Sequence, residues 1–94
     1  MFILSLTYIA PTEDADKHME PHMDWVRAGY ASGHFIASGR KVPRTGGVIL
    51  ARGERADLEA KCAADPFTVH GIATYDIAEV DFTTVATGYE LLKA

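Results

Sequence analysis

Residues 2–9 read FILSLTYI and carry the clearest fold signal in this chain. The run is rich in β-branched and aromatic residues and stops before Pro11, which is typical of a β-strand. One face would carry phenylalanine, leucine and tyrosine, and the other a mixture of isoleucine, serine and threonine. Thr12 follows as a candidate helix cap, with Glu13 and Asp14 in the first turn. The segment therefore predicts a strand that leads directly into a helix.

The helix predicted after this strand contains a proline. Apolar side chains continue at helical spacing through Ala15, Met19, Met23, Val26 and Tyr30. Inside a helix, Pro21 removes a hydrogen bond and crowds the preceding turn. We therefore expect a kink there, or a short helix to about Glu20 and a second one that begins at Pro21. Gly33 predicts the end of this helical region.

The rest of the chain predicts three more strands and one more helix. These are a strand over residues 34–38, a strand over 46–51 (GGVILA), a helix over 56–64 and a strand over 71–82. Asp65-Pro66 would end the helix. The order is strand-helix-strand-strand-helix-strand, so we predict one α+β domain over residues 1–94, with a core over 1–82 and a C-terminal tail over 83–94. The tail would form a short strand and a turn of helix.

Composition narrows the possible partners. The 94 residues are 48% hydrophobic and 23% charged, which is ordinary for one globular domain. The net charge is −4 and there is no long basic run, so we expect no nucleic-acid partner. No stretch approaches the roughly 20 apolar residues of a membrane span. The apolar start lacks a basic leading segment, and the single cysteine, Cys62, suits a reducing compartment, so we expect a cytoplasmic protein without a signal peptide.

Two helices can cover only one face of a four-stranded sheet. The other face would then leave apolar side chains in water, and a second copy of the chain is the expected cover. We therefore predict a homodimer, with a higher oligomer left open. A cleft between the sheet and its cover would hold a small-molecule ligand.

The histidines and the Asp-Pro motif are the first candidates for chemistry. His18 and His22 are four residues apart, a spacing that can hold a metal, but the spacing fixes no third ligand. We therefore expect no metal and no cofactor. Asp65 before Pro66 is usually a cap or a turn former. The alternative is that Asp65 holds a histidine in one tautomer so that the histidine can move a proton.

Other polar and aromatic residues have two interpretations each. Arg40 lies in a basic loop, where it is either solvated or positioned to bind a carboxylate or phenolate. Ser38 could donate a hydrogen bond at the same rim. Trp25 belongs either to the core or to a platform on which a ligand stacks. Cys62 lies on the apolar side of a helix and is expected to pack rather than to react.

Short motifs follow one another along residues 1–82: HMDWV at 22–26, Gly33, Ser38-Gly39, GGVIL at 46–50, DPF at 65–67 and Gly71. Their order and separations resemble the YCII-related (YciI-like) family. The resemblance implies a ferredoxin-like fold, with a four-stranded antiparallel sheet and helices on one face, assembled as a dimeric α+β barrel. It also implies a His–Asp pair as the active site, which falls on His22 and Asp65 here.

The same resemblance suggests a kind of reaction. Relatives include a dehydrochlorinase that acts on a chlorinated hydroxyquinol, and muconolactone isomerases share the barrel architecture. The family's usual Gly-Pro after the second strand is Gly39-Arg40 in this chain, which adds a positive charge near the expected cleft.

Three functions follow as hypotheses. The first is a cofactor-independent enzyme of lyase or isomerase type, in which His22 and Asp65 transfer a proton on a small anionic compound bound by Arg40, Ser38 and Trp25. The second is a metabolite-binding or regulatory dimer module without catalysis, in which Arg40 and Trp25 matter more than His22. The third is a domain that only dimerises, with a cleft that side chains fill.

Overall fold

The structure is a computed structural model that describes residues 1–93. The tail prediction for Ala94 lies outside the described residues. In chain order the elements are β1 (Phe2–Tyr8), α1 (Thr12–Lys17), α2 (Met19–Ala31), β2 (Phe35–Arg40), β3 (Gly46–Ala51), α3 (Arg55–Ala64), α4 (Pro66–Val69), β4 (Ala73–Glu79) and a 3₁₀ helix (Glu90–Lys93).

The four strands form one antiparallel sheet in the order β2-β3-β1-β4. The first strand of the chain is therefore central, between β3 and β4. This arrangement confirms the predicted α+β class and is compatible with a ferredoxin-like fold. Each half of the chain contributes one central strand and one edge strand. The helices that connect the strands bring residues that are far apart in sequence to the same face of the sheet.

The core lies between the sheet and the helices. Phe2, Leu4 and Leu6 are buried on one face of β1, as the alternation in FILSLTYI predicts. Phe2 and Leu4 belong to a cluster with Leu58 and Cys62 of α3. Burying one such leucine or phenylalanine side chain contributes about 1.5–3 kcal/mol. This strand thereby fixes the face on which the helices pack.

The opposite face of the sheet carries the other half of each strand. Ile3 and Leu50 are half-buried there and Val48 is exposed. Thr7 and Asp76 add exposed polar side chains. This face therefore has the mixed character that the sequence predicted, and its cover by a second copy stays a prediction.

The first helical region divides in two, but not where the sequence predicted. The break falls at His18, so Pro21 lies in the first turn of α2 rather than at its start. Its missing N–H would otherwise bond the carbonyl of Lys17, which is the last residue of α1. Thr12 is also not the cap: Pro11 occupies that position and no side chain caps α1. Within residues 1–93, no helix is long and apolar enough to cross a membrane.

Strand limits also differ from the predicted ones. Pairing between β2 and β3 continues to Arg40 opposite Gly47, so Arg40 ends a strand rather than lying in a loop. β4 stops at Glu79 because its partner β1 begins at Phe2, directly opposite. In the described part of the tail, residues 83–93 form a 3₁₀ turn and no strand.

The double glycine that begins β3 has a steric cause. Gly46 has φ of +153°, and a Cβ placed there would lie 1.8 Å from the carbonyl oxygen of Leu6. Only glycine permits this close approach between β3 and β1. Gly46 and Gly47 therefore present backbone without side chains at one end of the sheet.

Candidate active site

Asp65 lies at the junction of two helices and is fully buried. Its predicted role in ending α3 is confirmed, but the chain turns at once into the short helix α4. Pro66 is the first residue of α4, and the Oδ1 atom of Asp65 accepts the Phe67 N–H at 3.0 Å. The turn thus carries a carboxyl group into the protein interior and holds it there.

His22 meets this carboxyl group from α2. Its Nδ1 atom lies 2.8 Å from Asp65 Oδ1, across 43 positions of sequence. The side chain of His22 is 10% exposed and that of Asp65 is 0% exposed. The structure therefore brings together the two residues that the resemblance selected.

Two aromatic side chains complete the surroundings of the pair. Tyr75, on β4, donates its hydroxyl hydrogen to Asp65 Oδ2 at 2.6 Å. Burial and the negative charge of Asp65 raise the pKa of Tyr75 far above its usual range, so the hydroxyl keeps its proton. The Phe67 ring lies against the His22 ring, with centroids 4.0 Å apart and planes 2° from parallel.

The hydrogen bonds assign the atoms of the imidazole. Asp65 accepts from the Phe67 N–H through Oδ1 and from the Tyr75 hydroxyl through Oδ2, which suits an ionised carboxylate. An ionised carboxylate can only accept, so Nδ1 of His22 carries hydrogen, and Nε2 holds a lone pair in the neutral ring. Nε2 makes no hydrogen bond in the described part of the chain, where no buried side-chain nitrogen or oxygen lacks a partner. Nε2 is therefore open to solvent.

A cavity of about 520 Å³ adjoins His22. Its walls come from α2 and from the helix-facing side of the sheet, and Tyr75 lines it together with His22. The cavity thus lies on the face that the helices cover, whereas the sequence predicted a cleft under a second copy. Gly39, Gly46 and Gly47 line it and bring no side chains that could fill it. An open cavity beside His22 counts against a domain that only dimerises.

Arg40 and Ser38 both line this cavity. Arg40 is exposed and makes no ion pair among the described residues. The Oγ atom of Ser38 is 2.7 Å from the hydroxyl oxygen of Tyr30. Arg40 thus offers free donors at the cavity rim, whereas the hydroxyl of Ser38 already has a partner.

Arg44 is a cavity residue to which the sequence analysis gave no role. Its Nη2 atom donates to Asp16 Oδ1 at 2.7 Å, and its guanidinium lies 5.8 Å from the centre of the Tyr8 ring. The hydrogen bond to Asp16 raises the pKa of Arg44. Arg40, Arg44 and Asp16 together leave one net positive charge along the cavity lining.

Trp25 does not line the cavity. Its Nε1–H donates to the carbonyl oxygen of Lys61 at 2.9 Å, and its ring packs against Phe35 and Tyr75. These contacts support the core interpretation and give no support for ligand stacking. Cys62 packs in the core as predicted, and burial raises the pKa of its thiol to about 12, which makes it a poor nucleophile.

His18 and His22, the two histidines four residues apart, contact different partners in the structure. His18 stacks against His70, with ring centroids 4.2 Å apart, whereas His22 turns toward Asp65. Within residues 1–93, no group of three or more histidine, cysteine or acidic side chains is placed to hold a metal ion.

Tyr75 and Phe67 are the site residues that sequence reasoning missed. Phe67 stands in the DPF motif, which marked the place but not its contact with His22. Tyr75 shares the inward face of β4 with Ala73 and Ile77, so the polar end of its side chain on an apolar face was the available signal.

Fold and site together define a small α+β domain in which a buried histidine–aspartate pair lies beside a mostly apolar cavity. The sequence comparison agrees with this class. The chain belongs to the YCII-related domain family, whose model matches residues 1–81. No curated protein matches the chain.

Proposed function

We propose that this protein is a cofactor-independent enzyme that transfers a proton on a small anionic organic compound, with an elimination or an isomerisation as the reaction. The observation that carries the proposal is the environment of His22. Its Nδ1 atom is bonded to a buried carboxylate, its Nε2 atom is left without a hydrogen bond among the described residues, and the residue lines a cavity large enough for a small organic molecule.

The proposed chemistry begins with removal of a proton by Nε2. The carbon–hydrogen bond of the substrate breaks, its electron pair forms a carbon–carbon double bond, and the imidazole becomes an imidazolium. Asp65 stabilises that cation through Nδ1–H. In an elimination, a leaving group departs with its electron pair and His22 returns the proton to solvent. In an isomerisation, the substrate already has a double bond next to that carbon; this double bond breaks as the new one forms, and its electron pair takes the proton back from His22 at a different carbon atom.

Arg40 is the residue we propose to bind the substrate anion. A guanidinium with free donors matches a carboxylate or phenolate, and the net positive charge at this end of the cavity favours either one. Ser38 lines the same cavity, and we propose that its hydroxyl group helps Arg40 to bind the anion. Trp25 supports the packing around His22 and is not part of the proposed contact set.

The test uses exchange of hydrogen for solvent deuterium, because it detects proton transfer before the product is known. A panel of small carboxylic acids and phenols would be incubated with the protein in D₂O and followed by proton NMR. We expect one compound or more to exchange. His22→Ala should slow that exchange by about 10²–10⁴-fold, since it removes the general base.

His34→Ala is the matched control, because His34 lies outside the cavity and bonds to Ser32. Asp65→Asn should also slow the exchange while the protein stays folded. Full activity in folded His22→Ala would end the catalytic assignment. Thermal stabilisation by a panel compound that Arg40→Ala abolishes and His22→Ala preserves, without any exchange, would instead favour the metabolite-binding module.

We also propose that the protein is a cytoplasmic homodimer formed through the open face of the sheet. Ile3, Val48 and Leu50 support this, because they would leave apolar surface in water. Light scattering behind a sizing column should give twice the monomer mass, and Leu50→Lys should reduce it to the monomer mass. A monomer at all concentrations would contradict the proposal.

The single buried cysteine, which has no partner for an internal disulfide, supports a cytoplasmic location, and cell fractionation would check it.

A further inference from the structure

The second oxygen of Asp65 has a partner that the histidine–aspartate pair does not account for. Oδ1 serves His22 and the Phe67 N–H, whereas Oδ2 accepts, among residues 1–93, only the Tyr75 hydroxyl, at 2.6 Å. Tyr75 sits opposite Leu6 in the centre of the β1–β4 pairing, and it packs against both core clusters. The hydroxyl is thus anchored by a rigid strand rather than by a loop.

This geometry has a mechanical consequence for His22. A carboxylate held by one oxygen can still rotate about its bond to Cβ, but one held by both oxygens cannot. A short O–H···O⁻ bond is among the stronger hydrogen bonds in proteins. Tyr75 therefore fixes the plane of the Asp65 carboxylate, and this plane directs Oδ1 toward Nδ1 of His22.

The Tyr75 hydroxyl serves Asp65 and not a bound substrate. The hydroxyl itself is a poor proton donor to substrate, because burial and the charge of Asp65 raise the pKa of Tyr75. Its hydrogen also already points at Oδ2 rather than into the cavity.

We propose that Tyr75 is a positioning residue: its hydroxyl fixes the Asp65 carboxylate and thereby sets the tautomer and orientation of His22. The catalytic consequence rests on the proposed proton transfer. The effect on the imidazole does not, because it concerns only contacts within the protein.

The test is Tyr75→Phe, which removes one oxygen atom and keeps the ring that packs in both clusters. In the wild type, nitrogen NMR of His22 should show Nδ1 bearing hydrogen and Nε2 with a lone pair. In Tyr75→Phe we expect a mixture of both tautomers and faster solvent exchange of the Nδ1 hydrogen, by roughly 10-fold, because the carboxylate that holds this hydrogen has lost one of its own hydrogen bonds. An identical His22 spectrum in folded Tyr75→Phe would overturn the inference.

Tyr89→Phe is the matched control, because Tyr89 is exposed in the tail and should leave the His22 spectrum unchanged. For a compound that exchanges deuterium, Tyr75→Phe should lower kcat by roughly 10-fold with KM unchanged, because a less well oriented His22 raises the barrier to proton transfer without changing how the substrate binds. Altered His22 signals without exchange of any compound in the wild type would sustain the inference and reject the enzyme.

If Tyr75→Phe does not fold, the hydrogen bond from Tyr75 to Asp65 can still be tested in the wild-type protein. The Tyr75 hydroxyl hydrogen, bonded to a buried carboxylate, should give a separate, slowly exchanging proton resonance that correlates with the ring. Its absence at low temperature, under conditions that preserve the Nδ1 hydrogen of His22, would contradict the proposed bond.

Discussion

Asp65→Ala should lower the free energy of unfolding by about 3–5 kcal/mol, the usual cost of removing one partner from a buried pair. The carboxylate accepts from His22, from the Phe67 backbone and from Tyr75, all in a region without bulk water. Alanine leaves these three donors without an acceptor, and each unsatisfied buried donor costs about 1–3 kcal/mol. Alanine also removes the free-energy cost of burying the charged carboxylate, and this gain offsets part of that sum.

Urea unfolding followed by circular dichroism would measure this loss. Asp24→Ala is the matched control, because Asp24 is exposed and bonds only to its neighbour Arg27, so its removal should change stability by less than about 0.5 kcal/mol. Asp65→Asn should lie between the two, since an amide oxygen still accepts from Phe67. A loss below about 1 kcal/mol for Asp65→Ala would show that Asp65 is not the structural centre described above.

The architecture could be predicted because it depends on short-range patterns. Alternation in FILSLTYI decides which face of β1 is buried, and it does so without knowledge of any other strand. The Asp65-Pro66 pair ends a helix for reasons of local geometry alone. Element order and sidedness follow from such patterns, and the family resemblance supplied the strand arrangement.

Exact limits could not be predicted, because they depend on the partner strand or on the neighbouring turn. The end of β4 is decided by where β1 begins, 77 positions away between Phe2 and Glu79, and no local signal near Glu79 records it. The helix break moved to His18 because Pro21 is tolerated throughout the first turn, so its presence fixes a range of positions rather than one.

The site was predictable only in part. Residues alone gave His22 and Asp65 as separate candidates, and only the resemblance paired them. Tyr75 illustrates what stays hidden: a tyrosine on an inward strand face reads as packing, and its hydrogen-bond partner is known only after β4 is placed beside α4. The cavity likewise depends on how α2, β2 and β3 are placed around it, which no spacing in the sequence specifies.

Phe67→Ala should be as destabilising as Asp65→Ala, but through packing instead of hydrogen bonding. Phe67 is 1% exposed, belongs to the core cluster with Leu6, and contacts the rings of both Tyr8 and His22. Truncating a buried phenylalanine to alanine costs about 3–5 kcal/mol, because the lost transfer energy adds to the energy of the cavity left behind. Val69→Ala, on the same short helix but 65% exposed, is the control and should change stability by less than about 0.5 kcal/mol.

Combining the two large substitutions tests whether packing and hydrogen bonding act on the same unit. Phe67→Ala keeps the backbone N–H that Asp65 accepts, so it removes the ring beneath His22 without removing the hydrogen bond. Because both substitutions release the same imidazole, the double variant should lose at least about 1 kcal/mol less than the sum of the two single losses. Urea unfolding of the four proteins, wild type included, measures this difference. Strict additivity would mean that the stacked ring and the buried carboxylate hold His22 independently, and that the site is less cooperative than its geometry indicates.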